Sequence, residues 1–408
     1  MNYKQRLKTN IKLLYFSSFF KSLIFVVPIW VAFERRFLSF SQMAILQSIL
    51  TAITIILELP TGALADLIGR KKTMIIGWLL RSISCFYMAF SSNFFMFLIA
   101  DIGFGIADAL VSGADIALIF DTFKELNRED DFIKFKARAS LIFRMGLTIA
   151  TFLGGYFYNS AKYLPYVLMG ITGIISLIFD FFLIEPSIDS EKFSLTSYIQ
   201  QTKDGFKELF KTSYMKKLTI FYTFVGGITW SCIYYFDQPF ATDIGFNTIE
   251  LSWLFGSIFL LSSLVVLFLT ESKNILTRNR IYIGFPIIMS LSLLPAVFAN
   301  KIMAPILLFG IRIAATSRFT ILDKYTNQEF KSKYRATAVS SLNMLVSLFF
   351  IIVVGISGKI QDIYNTKIIY SFLGILTIFL VFPSGISLVK EYSKYKENSK
   401  NNLSKLNN

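Results

Sequence analysis

The sequence contains no histidine, only two cysteines and only 16% charged residues in 408. Without histidine the chain lacks the side chain that titrates nearest neutral pH and the commonest metal ligand, so carboxylates must carry any proton it moves. Cys85 and Cys232 lie in separate apolar runs, which excludes a disulfide framework and a cysteine metal site. No phosphate-binding glycine loop joins a strand to a helix, no zinc-ligand spacing occurs, and no nucleophile has a histidine beside it. Enzymatic chemistry, a metal and a cofactor are therefore not expected.

What is abundant is apolar. Hydrophobic residues make up 54% of the chain, 44 residues are Phe, and the mean hydropathy is +0.58, a balance that places the chain among membrane proteins. Crossing the hydrocarbon core takes about 20 mostly apolar residues in a helix. Runs of that kind fall at 11–33, 41–64, 74–91, 94–120, 138–158, 163–184, 217–238, 250–271, 281–299, 302–322, 336–357 and 367–389. The expectation is an all-α membrane protein with twelve transmembrane helices. The opening residues, Met1 to Lys8, lead into the first run without a small-residue cleavage site, so that run is expected to be retained.

The net charge of +15 follows from topology rather than from a polyanionic partner. Most of the 41 Lys and Arg fall outside the runs on the side that holds both termini, which by the positive-inside rule is the cytoplasm. An integral plasma-membrane protein with both termini cytoplasmic is expected, and nucleic-acid binding is not. The longest polar interruption follows the sixth run. It divides the chain into an N-terminal six-helix bundle (1–184), a linker (185–216), a C-terminal six-helix bundle (217–390) and a basic tail (391–408). Within the linker Phe193, Leu195, Tyr198, Ile199, Phe206, Leu209 and Phe210 alternate with charges as in an interfacial amphipathic helix. An internal repeat supports the division. The fourth run ends at Asp121 and is followed by a charged loop and Arg138, while the tenth ends at Asp323 and is followed by a charged loop and Arg335. Both pairs are expected to close the corresponding hairpins.

Between the second and third runs the chain reads Gly62-Ala-Leu-Ala-Asp66-Leu-Ile-Gly69-Arg70-Lys71-Lys72. This resembles the signature loop of the major facilitator superfamily (MFS), G-x-x-x-D-x-x-G-R-[KR], at every defining position, with bacterial drug-efflux members the nearest type. The resemblance covers the whole chain in architecture and this loop in motif. It implies the MFS fold, a conformational-switch role for Gly62, Asp66, Gly69, Arg70 and Lys71, and alternating access in a monomer. Two departures stand out. Asp101-Ile-Gly-Phe-Gly105-Ile-Ala107 has an acid where many proton-linked exporters of the family carry an Arg, and the antiporter signature of the fifth helix survives only as Ala150-Thr151-Phe-Leu-Gly154-Gly155.

An ionisable residue inside a span is costly and by default a functional candidate. Asp101, Asp108 and Asp115 recur every seven residues. Seven residues turn a helix by about 700°, so all three share one stripe. Counted inward from Asp121 and Arg138, Asp115 and Arg144 lie at equal depth and are expected to pair, which leaves Asp108 and Asp101 less obviously neutralised. Arg312 lies at a depth similar to that of Asp108, on a helix that the resemblance makes symmetry-related, so the two are expected to bind opposite ends of a substrate or each other. Arg318, off that face, is expected to snorkel or pair locally. Lys21, Asp237, Trp230 and Tyr234 belong to the other cavity-lining helices that the resemblance implies, with interfacial anchoring the alternative for Tyr234, Tyr235 and Asp237. Glu58, just before Pro60, reads as a gate or structural acid in a proline bend. Arg81 has no partner legible in the sequence. The function expected is a proton-coupled exporter of small amphipathic or drug-like compounds. The alternative is an importer of a small anionic or zwitterionic metabolite held by Arg312, with a transporter-like receptor as a third class.

Overall fold

The computed structural model describes residues 3–187, 195–271, 277–331 and 334–406, all helix, turn or loop, with no strand among them. The first helices are α1 (Tyr3–Lys21), α2 (Trp30–Glu34), α3 (Phe40–Ile68), α4 (Arg70–Ala89), α5 (Phe94–Glu125), α6 (Asp130–Ser160) and α7 (Leu164–Phe181). They are followed by α8 (Leu195–Leu209), α9 (Ser213–Ser231), α10 (Asp237–Asp243), α11 (Thr248–Glu271), α12 (Arg278–Leu293) and α13 (Met303–Ser317). The last are α14 (Asp323–Glu329), α15 (Arg335–Ile363), α16 (Thr366–Leu376) and α17 (Phe382–Leu406).

Local chemistry sets the ends. Ser39 caps α3 in a reciprocal box with Gln42, Asn93 accepts the Met96 N–H at the start of α5, and Thr212 accepts the Met215 N–H at the start of α9. Such caps satisfy donors that a helix leaves orphaned. After α5 the chain turns through Asn127 at φ 54°. The Arg128 N–H returns to the Phe123 carbonyl and the Asn127 N–H to that of Lys124, the bonding pattern that closes a helix through one left-handed residue.

Among the described residues nine helices are long and apolar enough to cross a membrane. Three expected runs fall outside that set for separate reasons. The first is not one helix. α1 ends at Lys21, where the Ser22 hydroxyl donates to the Phe19 carbonyl and so competes with the helical ladder; helix resumes only at Trp30. The third, α4, carries Arg70, Lys71, Lys72 and Arg81 among its 20 residues. The seventh is interrupted by a π-turn at Cys232–Phe236. The proline bend expected at Pro60 is absent from the backbone, since α3 runs on to Ile68. The side chains of Glu58, Gly62 and Asp66 lie outside the described residues.

The chain forms two compact units, 1–198 with 247–259, and 199–246 with 260–408. In the first, α5 packs chiefly on α3 and α4, and α7 on α1 and α4. The unwound stretch after α1 fits against the small face of α6, where Gly154 meets the Phe25 backbone carbonyl and Pro28. Its neighbour Gly155 meets the backbone of Thr248, and its N–H donates to the Ser252 hydroxyl at 2.7 Å. The glycine pair thus permits the close helix packing expected of it. In the second unit α9 packs on α15 and α17, and α12 on α13, α16 and α17. Two further π-turns lie here, at Arg318–Leu322 and Thr377–Val381. The linker region does form a helix, α8, whose end docks through buried Leu209 and through Glu208, which accepts from Lys211 at 2.5 Å and from the Lys331 N–H at 3.0 Å. Burial pushes the Glu208 carboxyl up, but these bonds outweigh it and hold it below the usual range.

Candidate functional site

The signature loop shows its chemistry at Gly69, whose φ of +99° is left-handed backbone that favours glycine. The turn aims the first N–H groups of α4 at Glu185, which accepts from Arg70 N–H at 2.7 Å and Lys71 N–H at 2.8 Å. A carboxylate here satisfies orphan donors and complements the helix dipole. Lys71 Nζ bonds the Phe181 carbonyl at 2.8 Å, at the end of α7. The Arg70 guanidinium pairs with Asp121 and reaches the Ala117 carbonyl. The loop therefore ties α4 to α5 and α7. Replacing Glu185 with Ala is expected to cost about 0.5–2 kcal/mol, read as a lowered thermal midpoint in detergent. Glu185→Gln, which keeps one acceptor, should lose less.

These contacts correct one expectation. Asp121 is held by Arg70, while Arg138 is exposed and forms no ion pair with it among the described residues. At the repeat-related position Asp323 accepts from the Tyr222 hydroxyl, and Arg335 reaches the Phe330 carbonyl at 3.4 Å. Both acids are taken by elements outside the hairpin, because α5 and α6 pack mainly on other helices than each other. The same cause separates Asp115 from Arg144, which form no ion pair among the described residues. Asp115 lies instead within electrostatic reach of Lys21 and Asp180.

Two embedded ion pairs organise the first unit. Lys21 binds Asp180 at 2.9 Å, and Ser17 donates to the same carboxylate at 2.7 Å. Arg81 binds Asp108, which supplies the partner for Arg81 that the sequence did not reveal and corrects the view of Asp108 as unneutralised. Trp78 lies between the two cations, 4.9 Å from Lys21 and 5.5 Å from Arg81. The recess beside it, with about 260 Å³ of empty space, is lined by Phe20, Lys21, Trp78, Arg81, Cys85 and Thr172.

Asp101 differs from the other two acids of its stripe. It is 8% exposed and makes no ion pair or side-chain hydrogen bond among the described residues. The acid within its electrostatic reach is Glu34, itself buried at the end of α2. Phe33, next to Glu34, packs on Phe97 and on Tyr166, with ring centroids 6.0 Å and 4.7 Å apart. Sequence reasoning missed Glu34 because it follows the first apolar run and reads as a solvated loop residue. Its only signal was its place beside Phe33.

In the second unit Arg312 binds Asp237 at 3.0 Å, and the Tyr370 hydroxyl donates to the other oxygen of the same carboxylate. Asp237 is buried and opens α10 directly after a π-turn, a feature common at functional sites. It is thus an interior acid and not an interfacial anchor, whereas Tyr234 is exposed and stands edge-on to Trp230 at 5.4 Å. Each of Asp108 and Arg312 has an opposite charge within its own unit.

Arg318 corrects a further expectation: it neither snorkels nor finds an acid. It is 1% exposed, and its Nε and Nη1 have no hydrogen-bond partner among the described residues. Its guanidinium carbon lies 4.1 Å from the Phe319 ring, 5.2 Å from Tyr222 and 6.0 Å from Trp230. Contacts of this kind contribute about 0.5–2 kcal/mol each, against about 2.5–3.5 kcal/mol for a charge in a spanning helix and about 1–3 kcal/mol for each buried unsatisfied group. The rings offset the charge, not the missing acceptors.

Long apolar helices with paired charges and irregular turns inside them define a polytopic membrane protein of the transporter class. A sequence profile of the Major Facilitator Superfamily matches residues 13–354, and the chain belongs to that family of membrane transporters. It is 24% identical over 388 residues to an uncharacterized MFS-type transporter, YxaM, of Bacillus subtilis (strain 168), covering 91% of this chain and 92% of that one. It is 25% identical over 178 residues to the quinolone resistance protein NorA of Staphylococcus aureus, covering 43% of this chain and 45% of that one. Among solved structures the nucleoside transporter NupG superposes with a TM-score of 0.73 at 16% identity, covering 96% of this chain and all of that one. A bacterial homolog of the human lysosomal transporter Spinster gives 0.67 at 16% identity, covering 95% and 94%. These two show the fold alone.

Proposed function

We propose that this MFS transporter is a proton-coupled exporter of small amphipathic compounds that works by alternating access as a monomer in the plasma membrane. Twelve crossings in two six-helix bundles, with both termini cytoplasmic, complete the reading: α4 and the interrupted segments around α1 and α9 would supply the three crossings beyond the nine long apolar helices, and the basic residues cluster on the terminus side. The observation that carries the coupling is Asp101, buried beside Glu34 without a cation. A carboxylate in that setting can take up a proton without first breaking an ion pair, which Asp108 and Asp237 cannot. The stretch similar to the quinolone resistance protein supports export.

The test is proton movement in proteoliposomes on adding lipophilic cations, neutral antibiotics, amphipathic carboxylates, sugars and amino acids. Wild type should respond to several lipophilic compounds, and Asp101→Asn should lose at least about nine-tenths of the response, a cost of roughly 1.4 kcal/mol or more. A response confined to one hydrophilic metabolite, or none that involves protons, would move the assignment to an importer of an anionic or zwitterionic metabolite. That second reading draws on the embedded cations Arg312 and Arg318 of the second unit.

A further inference from the structure

The second unit holds a group of buried donors that its own acceptors do not serve. Arg318 Nε and Nη1 lack partners, and so does the indole Nε1 of Trp230, whose ring lies against the same guanidinium. Tyr222, Gly226 and Trp230 are spaced four residues apart on α9 and so share one face of that helix. Gly226 leaves the space that Nη1 occupies, since a Cβ there would overlap it. Asp323, the nearest acid on the continuation of the same helix, accepts from Tyr222 and forms no ion pair with Arg318 among the described residues. By contrast Arg312, two turns earlier, binds Asp237. One helix thus carries one arginine with an acid and one with aromatic rings only.

A structural cation buried in a membrane bundle normally has a carboxylate or backbone carbonyls to bond. A guanidinium presented with free N–H edges between aromatic faces has the chemistry that recognises a planar anion attached to an apolar body. We infer that Arg318, with Tyr222 and Trp230, is an anion-recognition site that takes the carboxylate of an amphipathic organic acid, its apolar part lying against the two rings. The inference rests on the reading of the protein as a transporter of small amphipathic compounds and names one substrate class for it. The π-turn at Arg318–Leu322 gives the site a means of adjustment, because returning that turn to α-helical spacing would rotate Arg318 relative to α13.

Binding alone tests this, so the outcome is separate from any failure of proton coupling. Purified protein in a non-ionic detergent is equilibrated by dialysis against 2-naphthoate and, in parallel, against its neutral counterpart 2-naphthamide. Wild type is expected to bind naphthoate saturably and at least tenfold more tightly than the amide. In Arg318→Met that preference should vanish while the thermal midpoint of the unliganded protein does not fall, because no partner in the fold loses a bond. Trp230→Phe, which keeps the ring and loses the N–H, should weaken naphthoate several-fold and leave the amide unchanged. Equal binding of acid and amide by wild type would overturn the inference, as would a preference that survives in Arg318→Met. Should Arg318→Met not purify, Arg318→Lys replaces it, with a several-fold loss of preference expected and an unchanged preference overturning the site. Phosphatidylglycerol binding that depends on Arg318, with no naphthoate binding after delipidation, would assign the anion to a lipid headgroup and likewise overturn the proposal. Intact naphthoate binding in a protein that moves no protons would leave the site standing and remove the coupled exporter.

Discussion

Replacing Asp237 with alanine is expected to destabilise the protein by about 3–5 kcal/mol, the largest effect foreseen for any single side chain. Its carboxylate is buried and bonds two groups from two other helices, Arg312 at 3.0 Å and the Tyr370 hydroxyl. Removing it takes from Arg312 the carboxylate that neutralises it and from Tyr370 its acceptor, in a setting where neither water nor lipid replaces them. The double variant Asp237→Ala with Arg312→Met should recover most of the loss, since replacing both members of a buried pair with apolar groups is often neutral. Tyr370→Phe removes one hydrogen bond to a charged group and should cost about 1.5–3 kcal/mol. Chemical unfolding in detergent measures all three. A single variant that costs under about 1 kcal/mol, the range of exposed pairs, would mean that the pair is solvated and the interior acid is not structural.

The second large effect concerns Gly155. A Cβ at this position would overlap the Thr248 carbonyl oxygen and lie 2.6 Å from the Ser252 hydroxyl. The obstacle is backbone, so no rotamer change relieves it and the helices must move apart. Gly155→Ala should disfavour this packing by about 1–3 kcal/mol, lowering the packed population by roughly five- to more than a hundredfold. Ser252→Ala removes only the hydrogen bond to the Gly155 N–H and should cost about 1 kcal/mol. Flux measurements and thermal midpoints on the two variants separate close approach from hydrogen bonding. If Gly155→Ala behaves like Ser252→Ala, the backbone approach is not what the glycine is there for.

Read without coordinates, the chain already carried its helical nature, its membrane environment and its family. Those properties depend on composition and local spacing, and the signature loop is a run of adjacent residues whose turn at Gly69 is set locally. The positions of α5, α6, α7, α11, α12, α13 and α15 follow the apolar runs to within several residues for the same reason. What failed locally was continuity. α1 stops at Lys21, and π-turns interrupt three later helices, because side-chain competition with the backbone and tertiary packing decide such breaks and neither changes the hydropathy of a run.

Charge partners were the least legible part. Equal depth in a hairpin suggested Asp115 with Arg144 and Asp121 with Arg138, but depth fixes only one coordinate of a side chain. Rotation and packing neighbour fix the others. α5 turns its acids toward α4 and α1 rather than α6, so Asp108 meets Arg81 and Asp121 meets Arg70. Likewise nothing in the order of residues distinguishes Arg312 from Arg318. The sequence by itself determined that charges are embedded in apolar helices, since that is a matter of which residues lie within a span. Only the tertiary structure decided which charges are neutralised and which are left among aromatic rings, because an ion pair requires two side chains to meet at hydrogen-bond distance, and helices far apart in the chain supply them.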